Sequence, residues 1–392
     1  MAERTLPTVV VLGTTQTLAW ASSYYLPAVL ADAIARELAL STSWIFGAFS
    51  ASLLISAFIG PRVGRQIDAV GGNGVLAGSN LVFAGGLALL AFARSPAMLC
   101  AAWIALGFGM GLGLYDSAFA TLGRIYGKAA RKPITGITLI AGFASTIGWP
   151  LTAWGASTLG WRETCLAWAA VHILLGLPLN WFLLPRPTAR GPEAVAADKP
   201  VPIDKPMLLL AAAFASAWIV TAAMAAHCPR ILEAAGASAT EAIAAAALIG
   251  PSQVAARLLE AGFLSRFHPL VSARLATVTH PIGAAVVAVA GGGLTAGAFT
   301  VLHGLGNGVL TIARGTVPLA LFGPDNYGYR LGLIGAPARI LQAGAPFGFS
   351  LLIDRFGAGV LIASSALSAG ALLVLCLLRV PKAPSGEQGG AT

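Results

Sequence analysis

Five ionisable side chains fall in stretches that are otherwise apolar. They are Asp116 in GLYDSAFATLG, Arg257 and Glu260 in GPSQVAARLLEAG, Arg314 in TIARGTVPLALFG and Arg339 in APARILQAGAPFG. A charge in such surroundings is costly, so each is a candidate for function. Three guanidiniums against two carboxylates leave an excess of positive charge. A guanidinium fork suits a carboxylate, because two parallel N–H groups meet its two oxygens. That chemistry holds a small organic anion. The candidate binding residues are Arg257, Arg314 and Arg339, with Gln253, Asn307 and Gln342 as neutral hydrogen-bonding partners and Tyr24 and Tyr25 as aromatic ones. Asp116 is the acid lying inside an apolar run away from the basic ends, and it could carry a proton. Its other reading is a structural pair with Arg314 or Arg339. Arg257 and Glu260 are three positions apart and share a helical face, so they could pair with each other. They could also snorkel toward the membrane surface. No H-E-x-x-H, G-x-S-x-G or phosphate loop is present, so no enzyme, cofactor or metal site is expected.

These residues must be held by membrane-spanning helices. The chain has 392 residues, 57% hydrophobic and 10% charged, with mean hydropathy +0.80. A soluble domain carries about 25% charged residues. Apolar runs of spanning length are expected at 7–31, 42–61, 74–93, 97–122, 133–157, 163–183, 207–226, 239–260, 270–290, 296–321, 331–352 and 357–378. The net charge of +9 is distributed by loop. The connectors 62–73, 123–132, 184–206 and 261–274 hold half of the 24 basic residues, among them Arg62, Arg65, Arg124, Arg131, Arg190, Lys199 and Lys205. Alternation of this kind is a topology signal and not a nucleic-acid patch. It puts both termini in the cytoplasm of a bacterial-type inner membrane. The lipid bilayer and a small-molecule substrate, with protons as a second solute, are the expected partners of a monomer. The first apolar run outlasts a signal peptide and reads as a retained helix. Cys100, Cys165, Cys228 and Cys376 are too scattered for a metal site or a disulfide framework. Cys165 and Cys228 both fall near the outer face, which leaves one bridge open.

The stretch 184–206 is rich in Pro and charge and reads as a cytoplasmic linker. It divides a six-helix unit at 1–183 from another at 207–380, with a disordered tail at 381–392. The units echo each other. Ile59-Gly60-Pro61 at the second run matches Ile249-Gly250-Pro251 at the eighth. Gly109, Gly111 and Gly113 match Gly304, Gly306 and Gly308. The glycine runs read as close helix packing.

Between the second and third runs lies IGPRVGRQIDAVGGNG, read as a short polar loop. Gly64, Asp68 and Gly71 stand there as G-x-x-x-D-x-x-G, beside Arg62 and Arg65. This resembles the loop joining the second and third helices in the major facilitator superfamily of transporters. Ala69, Gly72 and Asn73 occupy places where that family usually has basic residues. The resemblance implies an all-α fold of twelve transmembrane helices in two pseudo-symmetric bundles, with substrate bound between them. It also implies a cytoplasmic gate formed by Gly64, Arg65, Asp68, Gly71 and Arg124, in which Arg124 pairs with Asp68. The eighth run is similar to that of the monocarboxylate porters, in which an Arg shortly before a Gly serves the substrate carboxylate. Arg257 and Gly262 are the matching positions, while Gln253 stands where that group has an acid. WASSYYLPAVL and STSWIFGAFSASLL look like the same group. The expected function is secondary transport of a small organic anion by alternating access. The alternative is proton-driven export of drug-like or cationic compounds, with Asp116 as the proton site.

Overall fold

Helix starts follow local capping chemistry. The Asp204 side chain accepts from Met207 N–H at 3.0 Å, and Ser95 accepts from Met98 N–H at 3.3 Å. Ser238 and Glu241 form a reciprocal capping box. Each relieves donors that a helix start leaves without partners. The computed structural model describes residues 5–186 and 201–379. Most of the 184–206 linker, including Arg190 and Lys199, and the 381–392 tail lie outside the described residues.

The described residues form twelve helical segments and no strand. They are α1 (5–37), α2 (Thr42–Val70), α3 (Asn73–Ala91), α4 (96–126), α5 (131–158), α6 (Trp161–Leu183), α7 (Lys205–Ala234), α8 (Ala239–Gly262), α9 (Pro269–Ala290), α10 (Gly292–Phe322), α11 (Tyr327–Phe356) and α12 (Val360–Leu377). Among the described residues, nine stretches are long and apolar enough to cross a membrane. Two of these, Pro96–Thr158 and Tyr327–Leu377, each contain two segments, and interrupted α1 is the remaining one. Leu294, Leu174 and Phe347 are among many large apolar side chains left on the outside. That surface suits hydrocarbon, and helices satisfy their own backbone groups there.

The supposed loop at 59–74 is corrected by the structure. Helix α2 continues through Pro61 to Val70 and turns only at Gly71, where φ is +90°. The reason is amphipathic packing. Val63, Gly64, Ile67 and Asp68 are buried, while Arg62, Arg65 and Gln66 face outward. Cys165 and Cys228 are both free and buried, in α6 and α7, so they form no bridge.

The two bundles, α1–α6 and α7–α12, meet where α2 crosses α11 and where α5 crosses α8. Glycine sets the first crossing. A Cβ on Gly64 would strike the carbonyl of Gly328, and Gly332 lies against Pro61. The repeated glycines of α10 serve similar contacts: Gly304 and Gly308 pack against α8, and Gly306 packs against α9. Helices in lipid gain by this close approach.

Gly64→Ala is therefore expected to push α2 from α11 and to cost about 1–3 kcal/mol by overpacking. Gly74→Ala, in open space, is the control. A thermal melt in detergent reads both, and equal melting temperatures would contradict this packing.

Candidate substrate site between the bundles

The helices that carry the candidate residues are interrupted where those residues lie. A π-helical turn, Trp20–Tyr24, brings Tyr24 and Tyr25 out of the regular path of α1. Helix α4 breaks at Leu114, so Asp116 stands in the first turn of Tyr115–Tyr126. The break frees two carbonyls. Ser117 Oγ donates to Gly111 O at 3.0 Å, and Gln16 Nε2 donates to Gly113 O at 2.6 Å. Helix α5 is interrupted at Gly142–Phe143 and α8 at Leu248. Irregular backbone inside a membrane is tolerated where protein satisfies it, and discontinuous helices commonly build transporter sites.

Asp116 is buried and gathers two arginines from the other bundle. Arg314 Nη2 donates to Asp116 Oδ2 at 2.6 Å, and Arg339 Nη2 donates to the same oxygen. Arg339 Nη1 also reaches Ser56 O on α2 at 3.3 Å. Arg314 lies over the ring of Trp218, 5.3 Å from its centre. Asp116 Oδ1 has no protein partner.

Arg257 is held differently. It is 5% exposed, yet its side-chain hydrogen bond is one long contact, Nη2 to Gln253 Oε1 at 3.4 Å. Its Nε is buried without a partner. The guanidinium packs against Gly142, where any Cβ would collide with Nη1. Its charge acts on Tyr25 and Tyr115 across the bundle interface. The expected partner, Glu260, is taken by Arg131 at 2.9 Å. The pairing of Arg257 with Glu260 is thus overturned: Arg131 at the start of α5 also binds Phe267 O and Leu264 O, and it holds the end of α8 from outside.

The first bundle supplies an aromatic wall. Trp20 contacts Tyr24 and Tyr115, each with ring centres 5.0 Å apart. Tyr24 meets Tyr25 and Phe49 edge-on. Trp149 contacts Tyr25, whereas Trp44 and Trp154 are largely exposed. Gln342 Nε2 donates to Tyr24 Oη at 2.6 Å, which joins α11 to α1. Asn307 turns away from this group: its Oδ1 accepts from Thr221 inside the second bundle. Of the eight candidate binding residues, Asn307 is thus the one placed apart. Trp20, Tyr115 and Trp218 were missed, because an aromatic in an apolar run carries no sequence signal of which way it faces.

At the basic end the two bundles are in contact. Asp68 accepts from the backbone N–H groups of Gly328 and Tyr329, both at 2.8 Å. It thereby caps the start of α11, where a helix favours negative charge. Arg124 is near enough to act on it electrostatically. Arg65 stacks on Tyr329 with its charge 4.1 Å from the ring centre, and Gly71 makes the turn into α3. The Arg131–Glu260 pair closes the second crossing, and sequence reasoning missed it. A signal was available: Glu260 lies nine residues after Pro251, much as Asp68 lies seven after Pro61.

The sequence model described as Major Facilitator Superfamily matches residues 12–300. No curated protein matches the sequence. Among solved structures, the chain is similar to a proton:xylose symporter, XylE, bound to 6-bromo-6-deoxy-D-glucose, with TM-score 0.78 and 12% identity over 96% of this chain and 95% of that one. It is similar to the human organic anion transporter MFSD10 (TETRAN), with TM-score 0.69 and 18% identity over 97% and 100%. It is also similar to FucP in the outward conformation, with TM-score 0.72 and 13% identity over 94% and 98%. With a family match over most of its length and twelve helices in two bundles, the chain belongs to the major facilitator superfamily of membrane transporters.

Proposed function

We propose that this transporter carries a small organic anion, and that Arg257 binds its carboxylate. The observation that carries the reading is a charge imbalance. Arg257, Arg314 and Arg339 face a single acid, Asp116, because Glu260 is taken by Arg131. Two positive charges are left without a counter-ion, and at membrane depth each charge costs about 2.5–3.5 kcal/mol even by the lenient insertion scale. A bound carboxylate relieves that cost. The Arg257 Nε and the Asp116 Oδ1 without protein partners are groups that a solute or its water can satisfy. The aromatic wall opposite suits the apolar body of such an anion.

Asp116, bonded by two guanidiniums, acts in this reading as a fixed counter-ion that ties the bundles together. That weighs against the cation exporter. The likeness of the eighth helix to the monocarboxylate porters points to the same end of the substrate. We place the protein in the inner membrane with the basic end and both termini in the cytoplasm, since arginine-rich connectors stay on that side. The units 1–183 and 207–380 then move against each other around the site. The contacts of Asp68 and Glu260 hold the cytoplasmic side shut, so they belong to a state that faces outward.

For the anion site, uptake of small carboxylates into proteoliposomes should fall in the order wild type, Arg257→Lys, Arg257→Ala. Lysine keeps the charge and loses the fork. Loss of a charged hydrogen bond predicts roughly tenfold or more at Ala. Unchanged affinity in Arg257→Ala, in protein that melts normally, removes Arg257 from the site.

For the gate, Asp68→Asn keeps one acceptor for two backbone donors. A donor left unmet costs about 1–3 kcal/mol, so the closed state should lose population by about tenfold. Thiol labelling of a cysteine placed near Gly332 should speed up from the cytoplasmic side. Equal labelling rates in the two proteins would exclude Asp68 as a latch.

A further inference from the structure

A second set of buried titratable groups lies inside the second bundle, apart from the arginines. His280 on α9 and His303 on α10 are each 5% exposed, and their Nδ1 atoms are 3.0 Å apart. His280 Nε2 is 2.9 Å from Ser364 Oγ on α12. The proton positions follow from the partners. Ser364 Oγ donates to Leu361 O at 3.1 Å, so toward His280 it accepts. His280 therefore carries its proton on Nε2, and its Nδ1 is an acceptor. His303 must then be protonated on Nδ1 and donate to it. One nitrogen is left over: His303 Nε2, a lone pair to which no described group bonds.

Both rings line a cavity of about 20 Å³, room for one water molecule. Its polar lining is neutral: Thr221 from α7, Thr277 and Thr279 from α9, Asn307 from α10 and Ser368 from α12. No carboxylate or guanidinium lines it. Charged groups of the other helices packed on α10 have other neighbours. Arg257 lies against Gly142, Glu260 is on Arg131, and Arg339 and Asp116 hold each other. The cavity shares α10 with Arg314, about two turns away. Asn307 lies two helical turns before Arg314 on α10. Thr221, bonded to Asn307, lies one turn from Trp218, which covers Arg314.

We propose that the His280–His303 pair is the proton-binding site of this transporter, with His303 Nε2 as the atom that takes the proton. The step is a single proton uptake: a hydronium ion reaching the cavity gives its proton to His303 Nε2 and is left as water. His303 becomes an imidazolium, keeps its Nδ1–H bond to His280, and no other bond changes. The sign of its coupling to the anion is fixed by charge. An added positive charge on the same helix as Arg314 is unfavourable while the arginine site is empty, and it becomes less so once an anion offsets part of that site's charge. Proton and anion then promote each other's binding, by a factor on the order of tenfold, and travel together. This coupling rests on the anion reading; the proton site itself does not.

The test needs no identified substrate. Nitrogen NMR of the full-length protein in nanodiscs, labelled at histidine, is recorded from about pH 8 to about pH 5, the range in which imidazoles titrate. His303 Nε2 should change from an unprotonated to a protonated ring nitrogen, while His280 Nδ1 stays an acceptor. His172, enclosed by Ser22 and Asn80, should stay unchanged and report an intact fold. Arg314→Gln removes one neighbouring charge, as a bound anion would. At the pH that half-protonates the wild type, the pair in this variant should be protonated in most molecules, with Arg339→Gln as a second variant should the first not fold. A His303 Nε2 that stays unprotonated down to about pH 5 overturns the proton site. Titration that is the same in wild type and charge variants overturns the coupling and leaves the proton site standing. The Arg257 series judges the anion reading separately.

Discussion

One buried carboxylate organises the centre of this protein. Asp116 receives Arg314 from α10 and Arg339 from α11 on the same oxygen, so a single acid spans both bundles. Removing one partner of such a buried pair costs about 3–5 kcal/mol, because the other charge is left uncompensated. The pair is therefore a strong constraint on where α4, α10 and α11 can lie. It is also an incomplete one. Two arginines on one acid, and Arg257 almost without partners at the same bundle interface, leave an excess of positive charge. In the proposed function a bound anion offsets that charge.

The helix interruptions make sense around this centre. The break at Leu114 starts a new helix beside Asp116. The break at Gly142 makes room for Arg257. The π-helical turn in α1 sets Tyr24 and Tyr25 on the facing wall. At the basic end the design is repeated. An acid at the end of the second helix of each bundle holds the start of the fifth helix of the other: Asp68 on Gly328 and Tyr329, Glu260 on Arg131. Two equivalent contacts thus join the bundles at that end.

The fold was legible because its signals are local and repeated. Runs of apolar residues mark the spans, and basic connectors mark alternate ends. The G-x-x-x-D-x-x-G spacing and the Ile-Gly-Pro echo pointed to the family and its duplication. The boundaries were less so. The residues 62–70 look like a loop because they are polar, yet they form a helix because one face packs on α11. The centre was only partly legible. That Asp116, Arg314 and Arg339 are charges in apolar runs is plain in the sequence, and it was enough to suggest a pair. Which acid meets Arg257 was not. Helical spacing favoured Glu260, but Arg131, 129 positions away, approaches through the bundle crossing. Side-chain direction also misplaced Asn307, which faces Thr221 inside its own bundle. Contacts made across a fold leave no trace in local spacing.

In the proposed function, positive charge between the bundles is offset by a bound anion. Crystals grown in sodium bromide would test it most directly, because bromide scatters anomalously and is indifferent to the identity of the natural substrate. The account predicts an anomalous peak against the Arg257 guanidinium, on the side facing Tyr25 and Tyr115, and loss of that peak in Arg257→Ala. Bromide bound elsewhere on the protein with the Arg257 site empty would contradict it.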